Sequence, residues 1–151
     1  MIEGVVVKTL NRFSDKRGWL LEIFREDETG PLSIHKPAMA YVSMTQPGVE
    51  RGPHEHSQQT DYFCFLSSRF MVTLWDNRRT SPTFGERMDI QADEDAPTII
   101  LVPPLVVHRY KNIGDRDGLV INLPDRLYKG WGRVDAVDEV RYENDPNSPF
   151  S

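Results

Sequence analysis

The sequence has little cysteine, no excess of positive charge and no long apolar run. Its 151 residues include one cysteine, Cys64, which excludes an internal disulfide framework and favours a reducing compartment. Eighteen Lys and Arg residues stand against 23 Asp and Glu, a formal net charge of −5, which argues against a nucleic-acid partner. No secretory signal or membrane-spanning stretch is visible, so we expect a cytoplasmic protein without a membrane partner.

Short strands separated by turn residues are the main pattern along the chain. No repeat or domain linker is visible, and we predict one all-β domain over residues 1–151, a double-sheet jelly roll or barrel with an irregular C-terminal tail. A short helix is expected at Val134–Val140, and a tight hairpin at Gly114–Gly118. The predicted strands are Val5–Leu10, Trp19–Phe24, Ala40–Met44, Tyr62–Leu66, Phe70–Trp75, Thr98–Val102, Val106–Tyr110 and Leu119–Leu123.

Three of the four histidines form a pattern that could hold a metal ion. His54 and His56 are two residues apart, so on a strand both imidazoles face the same way. Asp61 follows after a polar stretch that can bend back, and His108 follows a Pro-Pro turn. Three imidazoles and one carboxylate inside a barrel would suit Fe, Mn, Ni or Zn. The alternative is that these are ordinary structural histidines. His35 is given no role.

The histidine spacing resembles that of the cupin superfamily. The first cupin motif, G-x5-H-x-H-x3,4-E-x6-G, corresponds to Gly48, His54, His56, Asp61 and Ser68. The second motif, P-x-G-x2-H-x3-N, corresponds to Pro103, Leu105, His108 and Asn112. Asp replaces Glu, and Ser and Leu replace the motif glycines. The resemblance implies a double-stranded β-helix, the cupin jelly-roll barrel, with the site at its centre.

Within the cupins, the chain resembles the dTDP-4-dehydrorhamnose 3,5-epimerase family almost from end to end. The matching segments are D-K-R-G-W-L-L-E at 15–22, G-V-E-R-G-P-H at 48–54, D-N-R-R-T-S-P-T-F-G at 76–85 and N-D-P at 144–146. This resemblance implies an isomerase of deoxysugar biosynthesis that acts on a nucleotide-sugar and requires no cofactor. It also implies a homodimer, in which the N-terminal strand region crosses to the partner.

The resemblance assigns roles to individual residues. His54 is the base that removes a proton beside the keto group of a dTDP-4-keto-6-deoxy sugar, and a histidine near its unperturbed pKa suits that task. Asp145 is the carboxylate expected to orient His54. Arg17 and Arg51 are expected to bind the diphosphate through their planar guanidinium groups, and Glu22 to help hold the base of the nucleotide. The predicted substrate-binding residues are Arg17, Glu22, Arg51 and Gln59.

Two residues of the family pattern are missing from the sequence. Gln59–Tyr62 stands where the family has a lysine, and Leu119–Leu123 lacks the tyrosine that acts as general acid. We therefore expect a reaction other than standard 3,5-epimerisation. The related 3,4-ketoisomerases share the pattern R-G-x-H-x-H, in which His54 and His56 would both move protons.

Two other functions stay open at the level of the sequence. A metal-dependent cupin enzyme would hold its ion with His54, His56, Asp61 and His108, and the ion would act as a Lewis acid or activate dioxygen. A non-catalytic module would keep the barrel and bind a nucleotide-sugar without turnover.

Overall fold

Short β-strands make up almost all the regular structure of residues 1–150, the part of the chain that the computed structural model describes. Two 3₁₀ turns, Gly30–Leu32 and Trp131–Arg133, are the other regular elements there. Within residues 1–150, no helix has the length and apolar character needed to cross a membrane. The strands are β1 (Val6–Thr9), β2 (Arg12–Asp15), β3 (Gly18–Leu21), β4 (Tyr41–Thr45), β5 (Glu50–Glu55), β6 (Asp61–Phe65), β7 (Arg69–Asp76), β8 (Arg87–Asp93), β9 (Thr98–Val102), β10 (Val106–Asn112), β11 (Gly118–Asn122) and β12 (Val140–Arg141).

Two five-stranded antiparallel sheets face each other across the main core. The first has the strand order β1-β9-β6-β11-β4 and the second β12-β5-β10-β7-β8, while β2 and β3 form a separate two-stranded sheet. Side chains from both sheets meet between them, including Phe63, Phe65, Phe70, Leu74, Val106 and Tyr110. Two antiparallel sheets packed face to face are the arrangement of a jelly roll. The predicted all-β cupin fold is confirmed.

A second apolar layer covers the outer face of the first sheet. β6 and β9 are buried at every residue because the chain between β3 and β4 packs over them. His35 belongs to this layer, where its Nε2 lies 2.7 Å from the carbonyl oxygen of Leu123 and its ring stacks on Tyr62 at 5.0 Å. The imidazole therefore has a structural position away from the other three histidines.

The predicted helix at Val134–Val140 is wrong. After the 3₁₀ turn Trp131–Arg133 the chain is irregular, and Val140–Arg141 then form β12, which pairs with β5. Gly130 and Gly132, with φ values of 67° and 72°, belong to the 3₁₀ turn that precedes this segment. A segment of seven residues also needs a packed apolar face to stay helical, and Val134 is 82% exposed.

The predicted hairpin at Gly114–Gly118 is wrong as well. β10 and β11 lie in different sheets, so this turn carries the chain across the barrel. The side chain of Asn112 closes the turn: its Nδ2 donates to the carbonyl of Arg116 at 2.8 Å, and its Oδ1 accepts from the N–H of Gly114 at 3.0 Å. Glycine and aspartate indicate a turn but not which strands it joins.

Candidate active site

Three histidines meet where β5 pairs with β10. His54 in β5 is the direct partner of His108 in β10, and His56 comes just after the end of β5. The ring centroids of His54 and His108 are 4.3 Å apart, and the His56 ring lies 5.6 Å and 5.7 Å from those two. Nitrogen atoms from all three rings lie within 4.8 Å of one another. The structure therefore brings these three imidazoles together at the end of β5.

A bulge between β5 and β10 positions His54. The register shifts between His108 and Tyr110, and Gly52 on the opposite strand has a φ of 84°. A Cβ atom at Gly52 would overlap the carbonyl oxygen of His108 and lie 3.1 Å from Nδ1 of His54. Glycine is required here because only a residue without a side chain allows the two backbones to approach this closely.

Asp61 reaches the same site from the other sheet. It begins β6, its side chain is 1% exposed, and its Oδ2 lies 3.3 Å from Nε2 of both His56 and His108. Its Oδ1 accepts hydrogen bonds of 2.8 Å from Gln59 Nε2 and Asn122 Nδ2. The polar stretch before Asp61 does bend the chain, so this carboxylate faces inward.

The groups in this cluster have different protonation states at neutral pH, because their pKa values are shifted in different directions. Burial opposes protonation of His56, but the Asp61 carboxylate outweighs burial and raises the pKa of His56 to about 9. Burial would raise the pKa of Asp61, but the two histidines lower it to about 2. Burial, and then His108 and His56, lower the pKa of His54 to about 2. At neutral pH, His56 and Asp61 form an ion pair, and His54 is a neutral imidazole.

Two glutamates flank His54, and Asp145 does not. Glu139 Oε1 lies 3.9 Å from Nε2 of His54, and Glu143 Oε1 lies 3.9 Å from its Nδ1. Asp145 is exposed in a turn, where its Oδ1 accepts from the N–H of Asn147 at 2.9 Å. Among residues 1–150, the ion-pair contacts of His54 are therefore with Glu139 and Glu143, and not with Asp145 as predicted. Both are brought to His54 by the pairing of β12 with β5.

A cavity of about 1690 Å³ opens over His54 and His56. Residues of β4, β5 and β10 form one side, and much of the chain from Pro124 to Glu143 forms the other. This largely irregular segment therefore forms a wall of the site. The lining includes Tyr41, Tyr110 and Tyr128, none of which was among the residues predicted for the site.

Asp138 ties the C-terminal wall to the histidine cluster. Its carboxylate accepts hydrogen bonds from the backbone N–H groups of Ser57, Gln58 and Gln59, at 2.8, 2.9 and 3.0 Å. Its backbone carbonyl accepts from Nδ1 of His56. Sequence reasoning missed this residue, since nothing within its own segment indicates the turn that it contacts some 80 residues earlier.

Two of the predicted substrate-binding residues line the cavity. Arg51 donates through Nε to Thr45 Oγ1 at 3.0 Å and through Nη2 to the carbonyl of Met44 at 2.9 Å. These bonds orient the guanidinium, which carries further N–H groups. Gln59 also lines the cavity, and its amide nitrogen donates to Asp61.

The other two predicted binding residues, Arg17 and Glu22, lie outside the cavity of this chain. Arg17 is at the tip of the β2–β3 hairpin, where its side chain is 83% exposed and pairs with Asp15 at 2.5 Å. Glu22 follows the hairpin and pairs with Arg25 at 3.1 Å. A single chain therefore does not bring them to the histidines.

The donor set fits a divalent transition metal in its chemistry. His108 Nδ1 donates to the carbonyl of Val106 at 3.1 Å, so Nε2 of the neutral ring carries a lone pair. Within residues 1–150, this buried Nε2 makes no hydrogen bond. His54, His56 and His108 would supply nitrogen ligands, and Asp61 stands beside two of them.

Two facing antiparallel sheets with a histidine cluster between them define a cupin-type jelly-roll protein. Residues 1–130 match the family described as dTDP-4-dehydrorhamnose 3,5-epimerase, and the chain belongs to this family. Epimerases are isomerases, so the resemblance seen in the sequence motifs is confirmed at the level of the family.

Three relatives place the chain among sugar-modifying proteins. A probable low-salt glycan biosynthesis epimerase from Haloferax volcanii, Agl13, is 40% identical over 84% of this chain and 81% of its own length. The spore coat polysaccharide biosynthesis protein SpsL from Bacillus subtilis is 36% identical over 93% of this chain and 89% of its own. The crystal structure of a dTDP sugar isomerase from Desulfovibrio desulfuricans G20 has a TM-score of 0.85 and 25% identity, and covers 99% of this chain and 91% of its own.

Proposed function

We propose that this protein is a sugar-nucleotide epimerase, and that His54 removes a proton from the carbon next to a keto group. The observation that carries the proposal is the position of His54, a largely buried neutral imidazole in the wall of a large cavity, with a carboxylate 3.9 Å from each ring nitrogen. A base must be unprotonated before the reaction and stable once it holds the proton. Glu139 and Glu143 are placed to offset the positive charge of the ring once the proton is transferred.

The chemistry follows from these charges. His54 takes the proton as the electrons of the C–H bond move toward the keto oxygen and give an enolate. Glu139 and Glu143 stabilise the imidazolium that forms, because a nearby negative charge favours a protonated histidine. The protonated His56 lies on the same side of the cavity and offsets the negative charge of the enolate.

The proposed substrate is a dTDP-4-keto-6-deoxy sugar. Agl13 is named a probable epimerase of glycan biosynthesis, and the Desulfovibrio structure is named a dTDP sugar isomerase. We propose that Arg51 and Gln59 contact the nucleotide-sugar from this chain, since both line the cavity. No cofactor enters this reaction. Cys64, the single cysteine, is buried and agrees with the proposed cytoplasmic location.

We further propose that the reaction differs from standard 3,5-epimerisation. Asp61, bonded to Gln59, lies within the stretch where the family has a lysine, and no tyrosine lies on β11. If His54 and His56 both moved protons on one face of the sugar, the product would be a 3,4-ketoisomer.

Solvent exchange tests this function. In D₂O, the wild-type protein with a dTDP-4-keto-6-deoxy sugar is expected to incorporate deuterium at C3 or C5, as followed by proton NMR and mass spectrometry. Incorporation with inversion supports an epimerase, and a shift of the keto group indicates a ketoisomerase. A raised melting temperature with neither exchange nor turnover would contradict the proposal and favour a non-catalytic binding protein.

We also propose a homodimer in which the β2–β3 hairpin packs on the partner. The hairpin joins neither large sheet and leaves Phe13, Trp19 and Leu20 between 55% and 59% exposed. Grouped apolar side chains of this kind are typical of an interface. Such packing would bring Arg17 and Glu22 to the partner's cavity. Sedimentation equilibrium is expected to give twice the mass of the chain, and Trp19→Asp is expected to give the monomer.

A metal-dependent enzyme is the second candidate function. The buried Nε2 of His108, which makes no hydrogen bond within residues 1–150, lies 3.3 Å from an oxygen of Asp61. Two atoms with lone pairs repel each other at this distance unless a proton or a cation lies between them, and this favours a metal ion here. A bound metal would act as a Lewis acid toward a keto oxygen. Elemental analysis of protein purified without chelators distinguishes the candidates: one equivalent of metal, lost in His56→Ala, would favour this second function.

A further inference from the structure

Tyr41 presents a hydroxyl group to the cavity from the sheet that faces His54. It begins β4 in the first sheet, whereas His54 lies in β5 of the second. The residue is 44% exposed and lines the cavity, and its hydroxyl oxygen lies 2.9 Å from Nδ2 of Asn122 on the neighbouring strand β11. The two residues therefore approach a bound sugar from different sheets.

The hydrogen bonds of Asn122 determine which way the Tyr41 proton points. Asn122 Oδ1 accepts from the backbone N–H of Tyr62 at 2.9 Å, which places the amide nitrogen on the opposite side. That nitrogen has two hydrogens, and its two acceptors are Asp61 Oδ1 at 2.8 Å and the Tyr41 oxygen. The Tyr41 oxygen is thus an acceptor in this bond, and its own proton is available for another partner. Within residues 1–150, no group accepts that proton.

The other tyrosines near the site are less suited to donate a proton to a sugar. Tyr110 lies in the same sheet as His54, and its hydroxyl already shares a hydrogen bond of 3.2 Å with Ser43 Oγ. Tyr142 donates to Glu55 at 2.6 Å. Tyr128 is on the C-terminal wall and is 56% exposed. Desolvation of its hydroxyl, and then the charge of Asp61, raise the pKa of Tyr41 to about 12, so this phenol stays protonated at neutral pH.

We infer that Tyr41 is the proton donor on the face of the sugar opposite His54. The inference rests on the proposed epimerase function. The enolate carbon takes the proton from the Tyr41 hydroxyl, the enolate electrons form the new C–H bond, and the keto group is restored. His54 keeps the proton that it removed from the first face. The Tyr41 phenolate then regains a proton from water, and the His54 imidazolium releases one, so protons and charge balance over the cycle.

This assignment explains how β11 can lack a tyrosine while the site keeps an acid. Asn122 of β11 does not reach the sugar as a proton donor, but it holds the phenol of the adjacent strand by a hydrogen bond. The side chain of Asn122 makes three hydrogen bonds to the chain, which leaves it little freedom to rotate. The hydroxyl of Tyr41 is therefore held by a rigid partner.

The test is to separate exchange from inversion in D₂O. Tyr41→Phe is expected to retain deuterium exchange within about 10-fold of wild type, because protonated His54 can return a deuteron to the face from which the proton came. Inversion at the same carbon is expected to fall at least 100-fold. The competing donors are tested by Tyr110→Phe and Tyr128→Phe. Because both residues line the cavity, exchange and inversion are expected to change in parallel in these variants, so that the ratio of inversion to exchange stays that of wild type.

The outcomes separate this inference from the proposed function. Retained exchange in Tyr41→Phe also shows that the variant is folded and that its base is intact. Inversion at the wild-type rate in Tyr41→Phe would overturn the inference. So would the loss of both exchange and inversion in Tyr41→Phe. A selective loss of inversion in Tyr110→Phe or Tyr128→Phe would assign the proton donor to that tyrosine and would also overturn the inference. Failure of the wild-type protein to exchange would overturn the proposed function itself.

Discussion

Replacing His54 with asparagine is expected to lower deuterium exchange into the keto sugar by about 1,000-fold or more. General base catalysis accounts for roughly 10²–10⁴-fold in rate, and asparagine has a similar size but cannot accept the proton. His56 cannot take its place, because it is already protonated beside Asp61. NMR-detected exchange under single-turnover conditions measures the effect. Exchange above a tenth of the wild-type rate would place the base elsewhere.

The same variant has a pH signature that separates the role of His54 from general damage. The folded pKa of His54 is about 2, below the value of about 6.5 in an unfolded chain, so the unfolded state binds the proton first as the pH falls. His54 thus destabilises the native state progressively below pH 6.5, by about 2 kcal/mol at pH 5. We expect His54→Asn to lose less stability than wild type between pH 7 and pH 5, in urea unfolding. Equal losses would contradict the lowered pKa.

The sequence contained enough information for the fold and for the histidine cluster. Strands buried on both faces, such as β6 and β9, appear as continuous apolar runs and were predicted. β5 was missed because Gly52 and Pro53 are poor strand residues, although a bulge allows both there. β8 was missed despite a clear alternation, in which Met88, Ile90 and Ala92 face the core. That period of two was available in the sequence.

The parts of the site that could not be predicted depend on tertiary structure. Acidic residues are frequent between residues 135 and 145, and the sequence offers no reason to choose Glu139 and Glu143 over Asp145. Only the pairing of Arg141 with His54 in the β12–β5 ladder decides which carboxylates reach the imidazole. Tyr41 was overlooked for a similar reason, because its partner Asn122 is 81 residues away in sequence. Motif spacing identifies groups within one strand pair, but not those supplied by later segments.

Gly52→Ala is expected to cause a large combined loss of stability and activity. An alanine at a φ of 84° is strained by about 1–2 kcal/mol. Its Cβ would also overlap the His108 carbonyl oxygen and come within 3.2 Å of Arg109 Cα, so β5 must move away from β10. We expect a destabilisation of about 3 kcal/mol in total by urea unfolding. We also expect at least a 100-fold fall in exchange, because His54 is displaced along with its strand.

Gly48→Ala provides the matched control for this effect. Gly48 has a φ of 77°, nearly the same as Gly52, but a Cβ there would meet nothing within 4 Å. The control therefore carries the backbone strain of about 1–2 kcal/mol without the steric overlap, and its exchange rate is expected to stay within a factor of three of wild type. If the two variants lost equal stability and kept equal activity, the close approach at Gly52 would not position His54. A difference of more than 1 kcal/mol, together with loss of exchange in Gly52→Ala alone, would show that the bulge between β5 and β10 holds the base in place.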